Sequence, residues 1–538
     1  MVLTLLIVEN TMHCMSDFPN YTMDSKLLEK LSEICGEEFV SKQHPDRFAY
    51  SRDMWPRSLI QQRSGKLNNL PDVVVWPEDV KQVAEVVRVA KDFGMPVVPF
   101  GAGSGVCAGT LPIYRGIILD LKRLNRIIQI RELDNLIEVQ AGAIGENLER
   151  ELNQRKFTLG HFPSSMYCST VGGWIATRSA GQCSSRYGKI EDLVRSLRFV
   201  DAEGKIRDTS LYASSTDASF LEPLLVGSEG TLAIIVSATL VIRPLSPVHW
   251  FRGFRFGEIQ NGLDAMRLIL RQGLRPAVMR LYDEFDTVIA KTSLEKDAGE
   301  SLYKQIKTKL SGSLSGVLDF SLKSLLQLPK VLNRMVDWLP SGCLLVVVAE
   351  GESAEREVTA EMISDLCLQQ GASDLGEGPG MHWWEHRYSV SYKQSAIFSA
   401  GAFVDTMEVA TTWDGLVPLY NAVKKSLFPY AFVMAHFSHA YREGCSIYFT
   451  FVAAGRDDSA AVKLYDRIWD KALETVLSQG GAISHHHGIG MSKRRFLNRQ
   501  LDQANLLSQA VKKALDPQGL FNPGKLNYPN QRPRSVRS

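Results

Sequence analysis

The stretch GHFPSSMYCSTVGGWIATRSAGQCSSRYGKIEDLV, residues 160–194, concentrates glycine, serine and threonine around Val171, Gly172, Gly173 and Trp174. It ends in a Tyr-Gly-x-Ile-x-Asp phrase. Glycine allows a backbone to take positive dihedral angles and to approach a ligand closely. The stretch therefore predicts a small-residue loop that could hold one end of an extended molecule.

Two further glycine-rich loops lie in the same half of the chain. PFGAGSGVCAGTLP spans residues 99–112, and VGSEGTLAIIV spans residues 226–236. Successive amide hydrogens in such loops can point at a pyrophosphate, although the first loop alone would equally suit a structural turn. Its continuation TLPIYRGIILDL predicts a turn and a strand, which argues against a Rossmann fingerprint. Together the three loops predict a site for an extended dinucleotide.

The order of apolar segments predicts a mixed fold in several parts. DVVVWP, DVKQVAEVVRVAKDFG and MPVVPF read as strand, helix and strand, which favours an α/β layer. Strand-like runs return in VHWFRGFRF, CLLVVVAEG, GAFVDTMEVA and CSIYFTFVAAG. We therefore predict an α+β protein with four segments: an N-terminal helical extension at 1–70, a ligand-binding domain at 71–245, a second α/β domain at 246–470, and a final segment at 471–538.

Composition restricts the class of protein. The 538 residues are 45% hydrophobic and 22% charged, and the net charge of +2 argues against nucleic acid as a partner. The 8 cysteines include no Cys-x-x-Cys pair, so neither a zinc site nor a disulfide framework is indicated. The opening MVLTLLIVEN lacks the features of a signal peptide, and the tail NQRPRSVRS is basic. We expect a cytoplasmic protein.

One apolar stretch, at residues 314–339, stands out within the second domain. Its apolar residues cover a broad helical face that Pro329 interrupts. Burial against the second domain is one interpretation, and a lipid-facing or channel-lining role is the other. The stretch is where peripheral contact with a membrane would be expected.

The combination of phrases resembles a known flavoprotein superfamily. The three loops, with YGKIEDLV and the late LDPQGLFNPGKL, resemble the FAD-binding domain of the vanillyl-alcohol-oxidase type. The resemblance covers most of 70–245 and returns at 480–526. Within that superfamily the chain resembles the alkylglycerone-phosphate synthases through four phrases: STVGGWIATRSAG, RLYD at 280–283, AYREGCSIYFTF at 440–451 and SHHHGIG at 484–490.

The resemblance implies a fold and a cofactor. The fold is a two-part FAD-binding domain of the PCMH type, named after p-cresol methylhydroxylase, with a cap domain built on an antiparallel sheet. Val106 and Cys107 stand near the place where some relatives carry a histidine that bonds FAD, so we expect non-covalent FAD. The implied cofactor-binding residues are Pro99, Gly101, Ala102, Gly103, Ser104, Gly105, Ser164, Ser169, Thr170, Gly172, Gly173, Trp174, Thr177, Ser179, Ala180, Gly181, Tyr187, Gly188, Glu229, Gly230 and Ile235.

The resemblance also implies an activity. These synthases exchange the acyl group of acyl-dihydroxyacetone phosphate for a fatty alcohol, through a transient flavin-substrate adduct, and so make an ether lipid precursor. The motif tyrosine that moves the carbon-bound proton matches Tyr441, and the histidines around the reacting end match His485, His486 and His487. Arg280 matches an activity-linked arginine, and we place the phosphate-binding residue at Arg387. A homodimer is implied as well.

Chemistry is compatible with those roles. A free phenol has a pKa near 10, so Tyr441 would need neighbouring donors or positive charge to act as a base. A metal site is the competing interpretation of the histidines: on a strand, His485 and His487 would share one face. No third ligand is evident, so we expect no metal; a purely structural cluster is the remaining alternative.

Two other functions remain open. The synthases carry Arg-Val-Thr-Gln-Thr where this chain has HFSHA at 436–440, so the lining of the pocket differs. A D-2-hydroxyacid dehydrogenase of the D-lactate or glycolate type is the main alternative, although its His-x-Gly-Asp-Gly-Asn-x-His and Gly-Glu-His-Gly phrases are absent. A non-catalytic flavin- or lipid-binding protein is the third. The acid/base set of Tyr441 and the histidines argues against it.

Overall fold

A computed structural model describes most of the chain. Most of the stretch at 314–339, the opening decapeptide and the basic tail lie outside the described residues. The expectations made for them are therefore not addressed by the fold. The described residues are 24–65, 69–212, 221–246, 248–284, 286–287, 323, 326–330, 333, 342–389, 395–526 and 528.

The strands follow the β-branched and aromatic runs of the sequence, as the pleated surface favours. Each strand-like run quoted above contains a strand, while Val278–Tyr282 and Phe432–Ala440 were not foreseen as strands. The strands are β1 Val40–Ser41, β2 Val73–Val75, β3 Val97–Phe100, β4 Ile117–Asp120, β5 Ile127–Arg131, β6 Leu136–Gln140, β7 Phe157–Thr158, β8 Val194–Val200, β9 Ile206–Asp208, β10 Ile234–Val241, β11 Arg243–Pro244, β12 Val248–Phe256, β13 Val278–Tyr282, β14 Cys343–Gly351, β15 Ser373–Asp374, β16 Phe403–Thr412, β17 Phe432–Ala440 and β18 Gly444–Ala453.

Some of the helices begin at a residue whose side chain accepts a hydrogen bond from the first turn. Asp79 accepts from the amide of Gln82, and Asp457 accepts from that of Ala460. The described α-helices are Ser25–Cys35, His44–Ala49, Pro56–Arg63, Val80–Asp92, Gly145–Gln154, Val171–Thr177, Ser184–Tyr187, Ile190–Leu193, Leu221–Leu225, Ile259–Arg271, Ser353–Gln369, Gly378–His386, Ser395–Ser399, Leu416–Leu427, Asp458–Ser478, Arg494–Leu501 and Ala504–Leu515.

The first half of the chain contains two main sheets. One has the order β1-β2-β4-β3, in which β2, β4 and β3 run parallel. This is the predicted strand-helix-strand layer, and helix Val80–Asp92 covers it with a buried apolar face. The other sheet, β5-β6-β10-β8-β9, is antiparallel throughout. An α/β layer alone was therefore an incomplete description of this half.

The cap is a seven-stranded antiparallel sheet in the order β15-β12-β14-β13-β17-β18-β16. Phe437 and Phe449 on one face are completely buried against helices, among them Leu416–Leu427 and Asp458–Ser478. The other face carries both polar side chains and smaller buried apolar clusters. The register aligns Tyr282 with His436, His436 with Tyr448, and Tyr448 with Glu408. Since side chains of paired residues point to the same face, these four form one row across the sheet.

Both ends of the described chain join the first half. Strand β1 pairs with β2, and helix Ser25–Cys35 packs on helix Val80–Asp92. At the other end Val97 exchanges backbone hydrogen bonds with Leu520 and Asn522, at 2.9 and 2.8 Å. Helix Asp458–Ser478 runs through the boundary placed at 470. The four segment boundaries stay a prediction.

No candidate membrane-spanning segment lies in the part of the chain that the structure describes. None of the helices there combines the length and the apolar character needed to span a bilayer.

We predict that Lys512 holds the final segment against the first half. Its buried ammonium donates to Asp516 Oδ2 at 2.6 Å and to the carbonyls of Thr231 and Phe521 at 2.6 and 3.2 Å. Lys512→Met should lower the free energy of unfolding by about 3–5 kcal/mol, because it strands a buried carboxylate. Urea unfolding followed by circular dichroism measures this. The exposed neighbour supplies the control Lys513→Met, and equal losses in both variants would contradict the prediction.

Candidate active site

In chain order the glycine-rich loops are the first at 99–112, the second at 160–194 and the third at 226–236. The first and second loops face each other closely. A Cβ on Gly101 would overlap the hydroxyl of Thr170, and one on Gly103, whose φ is +64°, would lie 2.6 Å from the Phe100 ring. Any larger residue would push the loops apart. The sequence phrases that were predicted to act together therefore do lie together.

The first loop offers free amides. Among the hydrogen bonds of the described residues, none is donated by the backbone amides of residues 102–106. The carbonyl of Gly105 is held by the amide of Met54 at 2.9 Å, and that of Gly101 by Lys122 Nζ at 3.1 Å. A loop fixed through its carbonyls, with unpaired amides, fits a pyrophosphate such as that of FAD.

The second loop is organised differently. Thr170 caps helix Val171–Thr177, and the first helical amides all have protein partners: Val171 donates to Ala143, and Gly172 to Ala141 at 2.7 Å. Gly173 donates to the Thr170 hydroxyl at 3.3 Å. This helix terminus thus has no spare amides for a phosphate, so the loop contributes shape and hydroxyl groups.

The third loop directs the carboxylate of Glu229 at another segment of the chain rather than at a ligand. Glu229 lies in the left-handed region at φ +51°, and its buried carboxylate accepts from the amides of Ile489 and Gly490 at 2.5 and 2.8 Å. Burial raises its pKa, which those amides oppose. Asn522 Nδ2 bridges the carbonyls of Gly109 and Glu229 at 2.9 and 2.7 Å. Glu229 therefore ties the histidine segment to the cofactor loops.

Several other predicted cofactor residues also contact protein. The Trp174 indole donates to the Ser169 hydroxyl at 2.7 Å, and Tyr187 donates to Glu350 of the cap sheet at 2.5 Å. Ser179 lies 3.2 Å from His161 Nε2. Residues such as Tyr187 join the two domains at the edge of the cofactor region.

Arg280, two residues before Tyr282 on β13, lies on the same face of the cap sheet as the polar row. Its Nη2 donates to His436 Nε2 at 2.5 Å, while Nδ1 of the same ring lies 2.9 Å from Asp286 Oδ2. The His436 ring stacks on Tyr448 with centroids 4.7 Å apart. Burial and Arg280 hold the pKa of His436 well below its usual range. A neutral His436 thus orients the guanidinium of Arg280.

The histidine loop is folded around one buried carboxylate. Glu408, on β16, is fully buried. The Lys493 ammonium and the Ser484 hydroxyl each donate to its Oε1 at 2.7 Å. Its oxygens also accept from three consecutive backbone amides, those of His485, His486 and His487. Burial alone would raise the pKa of Glu408, but Lys493 and the other donors outweigh it and lower that pKa to about 2.

The three histidine side chains point to different partners. His485 Nδ1 lies 2.9 Å from His486 Nδ1, and His486 Nε2 pairs with the Tyr448 hydroxyl. The His487 ring meets Tyr448 edge-on. Burial lowers the pKa of His485 and of His487 to about 4, and that of His486 well below its usual range. All three imidazoles are therefore neutral at pH 7.

The histidines lie in a loop, not on a strand. The face-sharing considered for a metal site therefore does not apply, because loop residues have no period of two. Within the described ranges, His, Cys, Asp and Glu side chains form no group of three or more that could hold a metal ion.

Tyr441 adjoins this loop. Its ring centroid lies 5.5 Å from that of His485, and its hydroxyl donates to Ser184 Oγ at 3.1 Å. Ser184 Oγ in turn lies 2.8 Å from His439 Nδ1. Burial raises the pKa of Tyr441 far above that of a free phenol, a shift that Ser184 opposes. Tyr441 is thus protonated at neutral pH.

Most of the predicted catalytic and substrate-binding side chains converge. Arg280, Tyr441 and the three histidines are linked through His436 and Tyr448 into one partly buried cluster. Arg387 is different: its guanidinium lies 3.9 Å from the Trp384 ring centroid and 4.6 Å from that of Tyr388. Its backbone carbonyl accepts from Gln182. Among the described residues, none of its contacts is with the cluster.

Among the described residues, three buried polar atoms at the cluster have no hydrogen-bond partner: Arg280 Nε, His485 Nε2 and Oγ of Ser438, which lies two residues after His436 on β17. Most buried polar groups in proteins are paired, and these three atoms lie together, so they mark where a polar ligand group would be received. They combine a cationic donor, a hydroxyl and an imidazole. That set suits an anionic or oxygen-rich substrate.

Sequence reasoning missed Glu408, Lys493 and Ser184. An acid inside the apolar strand run GAFVDTMEVA was the available signal for Glu408. Ser184 follows the second glycine loop directly, but serine is common there. His436 and His439 were noticed only as departures from the synthase phrase.

The fold and the site define a flavin-dependent enzyme in two domains. Residues 71–210 match the family described as FAD binding domain, and residues 251–526 match FAD linked oxidases, C-terminal domain. The second match covers more than half of the chain. The chain belongs to the FAD-linked oxidase family, FAD is its cofactor, and the predicted PCMH-type α+β fold is confirmed.

The relatives include proteins named as synthases and proteins named as oxidases. Alkyldihydroxyacetonephosphate synthase of Trypanosoma brucei brucei is 29% identical over 490 residues, covering 88% of this chain and 75% of the relative. Glycolate oxidase subunit GlcD of Bacillus subtilis (strain 168) is 24% identical over 519 residues, covering 94% and 98%. A solved structure of alkyldihydroxyacetonephosphate synthase superposes with a TM-score of 0.73 at 24% identity, covering 95% of this chain and 86% of that one.

Glu408→Gln should destabilise the protein by about 3–5 kcal/mol, because Lys493 would be left buried without its counter-charge. Urea unfolding measures the loss, and flavin absorbance after gel filtration measures retention of FAD. The double variant Glu408→Gln/Lys493→Met should recover part of the stability. The exposed Glu443→Gln is the matched control. A loss no larger than that of the control would contradict a structural role for the ion pair.

Acid should destabilise the fold through the histidines. A histidine in the unfolded chain has a pKa near 6.5, whereas the folded pKa of His487 is about 4. Between these values the unfolded chain binds more protons, so the free energy of unfolding falls as the pH drops through this window. In urea titrations at pH 7, 6 and 5, His487→Asn should show a shallower fall than the wild type. An unchanged slope would contradict this assignment.

Proposed function

We propose that the protein is an alkylglycerone-phosphate synthase-like enzyme, which exchanges the acyl group of acyl-dihydroxyacetone phosphate for a fatty alcohol. The observation that supports this most is the single, partly buried cluster of Tyr441, His485, His486, His487 and Arg280. A proton donor, neutral imidazoles and a guanidinium suit a phosphate ester, an alcohol and a carboxylate product. The names of several relatives point the same way.

Each residue has a task in this proposal. FAD, when bound, supplies the ring that can accept and return an electron pair at the reacting carbon. Tyr441 moves the proton of that carbon, and Arg280 pairs with the anionic group of the substrate. The neutral His485 can donate or accept at its unpartnered Nε2 as the acyl group leaves and the alcohol enters.

The alternative is an FAD-linked D-2-hydroxyacid dehydrogenase or oxidase. The likeness to glycolate oxidase subunit GlcD over nearly the whole chain favours it. So does the Arg280–His436–Asp286 arrangement, since a guanidinium held by a neutral imidazole would suit the carboxylate of a small acid. In that case Tyr441 and the histidines would receive the hydroxyl proton.

The proposed location follows from the substrate. A fatty alcohol and an acylated ester partition into membranes, so we propose peripheral contact with a bilayer. The stretch at 314–339 is the place to look for it, although it falls mostly outside the described residues. A homodimer is proposed from the family resemblance alone.

An anaerobic absorbance titration decides between the two functions. The purified flavoprotein is titrated with acyl-dihydroxyacetone phosphate and, separately, with D-lactate and glycolate. Loss of flavin absorbance with the lipid, reversed by hexadecanol without any electron acceptor, supports the synthase. Loss with a hydroxyacid, reversed only by an added acceptor such as ferricyanide, supports the dehydrogenase.

Tyr441→Phe tests the role of the phenol in the same assay. The variant should retain FAD, because the substitution keeps the ring and removes only a hydroxyl that donates to Ser184, but its rate of flavin bleaching should fall by about 10²-fold or more. The control is Tyr430→Phe, a half-buried tyrosine elsewhere in the cap. Bleaching by Tyr441→Phe at the wild-type rate would remove the phenol from the mechanism.

A further inference from the structure

We infer that Ser184 and His439 are positioning residues for Tyr441 and complete a proton path from its phenol: Tyr441 to Ser184, then Ser184 to His439. This inference rests on the proposed function, because it gives Tyr441 the base that its task requires. The path joins two domains. Ser184 lies in the FAD-binding half, whereas His439 and Tyr441 belong to the cap.

The geometry has two consecutive hydrogen bonds. The Tyr441 hydroxyl lies 3.1 Å from Ser184 Oγ, and Ser184 Oγ lies 2.8 Å from His439 Nδ1. Ser184 is 1% exposed and His439 6%, so bulk water does not compete along the path. The hydroxyl of Ser185 accepts from the amide of Ala440 at 3.2 Å, which anchors this short helix to the end of β17.

The backbone of His439 is distorted at this point. Its φ is +53°, in the left-handed region that non-glycine residues rarely adopt, and the pairing of β17 with β18 shifts register between Ser438 and Ala440. Such a bulge turns one side chain out of the regular alternation of a strand. Here it directs the imidazole of His439 to Ser184. Strain of this kind is concentrated at functional sites.

The direction of the bonds determines what moves. Tyr441 donates its proton to Ser184, so the lone pairs of its oxygen remain available to another donor. When that oxygen takes the carbon-bound proton of the substrate, the original phenolic proton passes to Ser184 Oγ. The original Ser184 proton passes to His439 Nδ1, which becomes an imidazolium. The electron pair of the broken C–H bond stays with the substrate carbon, and the reverse transfer restores every group.

The groups around His439 determine when its imidazole can accept the proton. Burial, His485, Arg280, His436 and His487 keep the pKa of His439 well below its usual range. The rings of Tyr448 and His486 also face His439. The charges of Glu191 and Asp192 help to raise the pKa of Tyr441. An anionic substrate paired with Arg280 would oppose that positive field and favour the imidazolium. Proton transfer is thereby coupled to occupation of the site.

The test is a double-mutant cycle on the flavin-loaded enzyme. Ser184→Ala and His439→Gln should each slow flavin bleaching by acyl-dihydroxyacetone phosphate by about 10²-fold. The double variant should be no slower than Ser184→Ala, because a broken path cannot be broken twice. His44→Gln and Ser478→Ala, outside the site, are the controls. Unchanged bleaching by His439→Gln, or losses that multiply in the double variant, would overturn the inference.

A second measurement does not depend on turnover. With 3-fluorotyrosine placed at position 441 of the flavin-loaded protein, ¹⁹F NMR reports the hydrogen bonding of that phenol alone. His439→Gln should shift the resonance when Ser184 is present and leave it unmoved in the Ser184→Ala background. No shift in either background refutes the path. If the lipid does not bleach the flavin of the wild type, the proposed function is wrong. The ¹⁹F shifts would still show whether the Tyr441–Ser184–His439 path exists.

Discussion

The buried ion pair of Glu408 and Lys493 is the interaction on which the active site depends. A loop that carries three adjacent histidines must bury its backbone amides, and unpaired amides in a protein interior are costly. Glu408 accepts from all three of them. A carboxylate without exposure would itself be costly, but the Lys493 ammonium compensates its charge at 2.7 Å. Neither the loop nor the carboxylate could be buried without the other.

Fixing the backbone in this way frees the imidazoles for chemistry. Their rings diverge toward Tyr441, toward the Tyr448 hydroxyl and toward the edge of the Tyr448 ring. Burial lowers the pKa of all three rings, and Lys493 opposes the effect of the Glu408 charge, which would otherwise favour protonation of His485 and His487, so the rings stay neutral. Neutral imidazoles can both donate and accept hydrogen bonds. The site is therefore suited to moving protons among neutral partners near an anion.

The sequence predicted the parts of this structure that depend on local patterns. The glycine loops, the strand runs and the phrases around Tyr441 and the histidines all depend on neighbours in the chain. Glu408 could not be recognised in the same way, because it accepts from the amide of His485, 77 residues further on. Ser184 and His439 are 255 residues apart. Arg387 was assigned from a weak resemblance; its contact with Trp384 is local, but its carbonyl meets Gln182, 205 residues away, and no short phrase encodes that packing.

A second carboxylate holds the other end of the histidine phrase. Glu408 of the cap holds the amides of 485–487, while Glu229 of the FAD-binding half holds those of Ile489 and Gly490. The chain must turn between the two carboxylates, and it does so at Gly488, where φ is +80° and a Cβ would lie 2.9 Å from Glu229 Oε1. Gly490, at φ +50°, passes against the carbonyl of Cys107 in the first glycine loop. The phrase His-His-His-Gly-Ile-Gly is thus a bridge of fixed length between the cofactor loops and the substrate pocket, so a displacement of either domain is transmitted to the histidines.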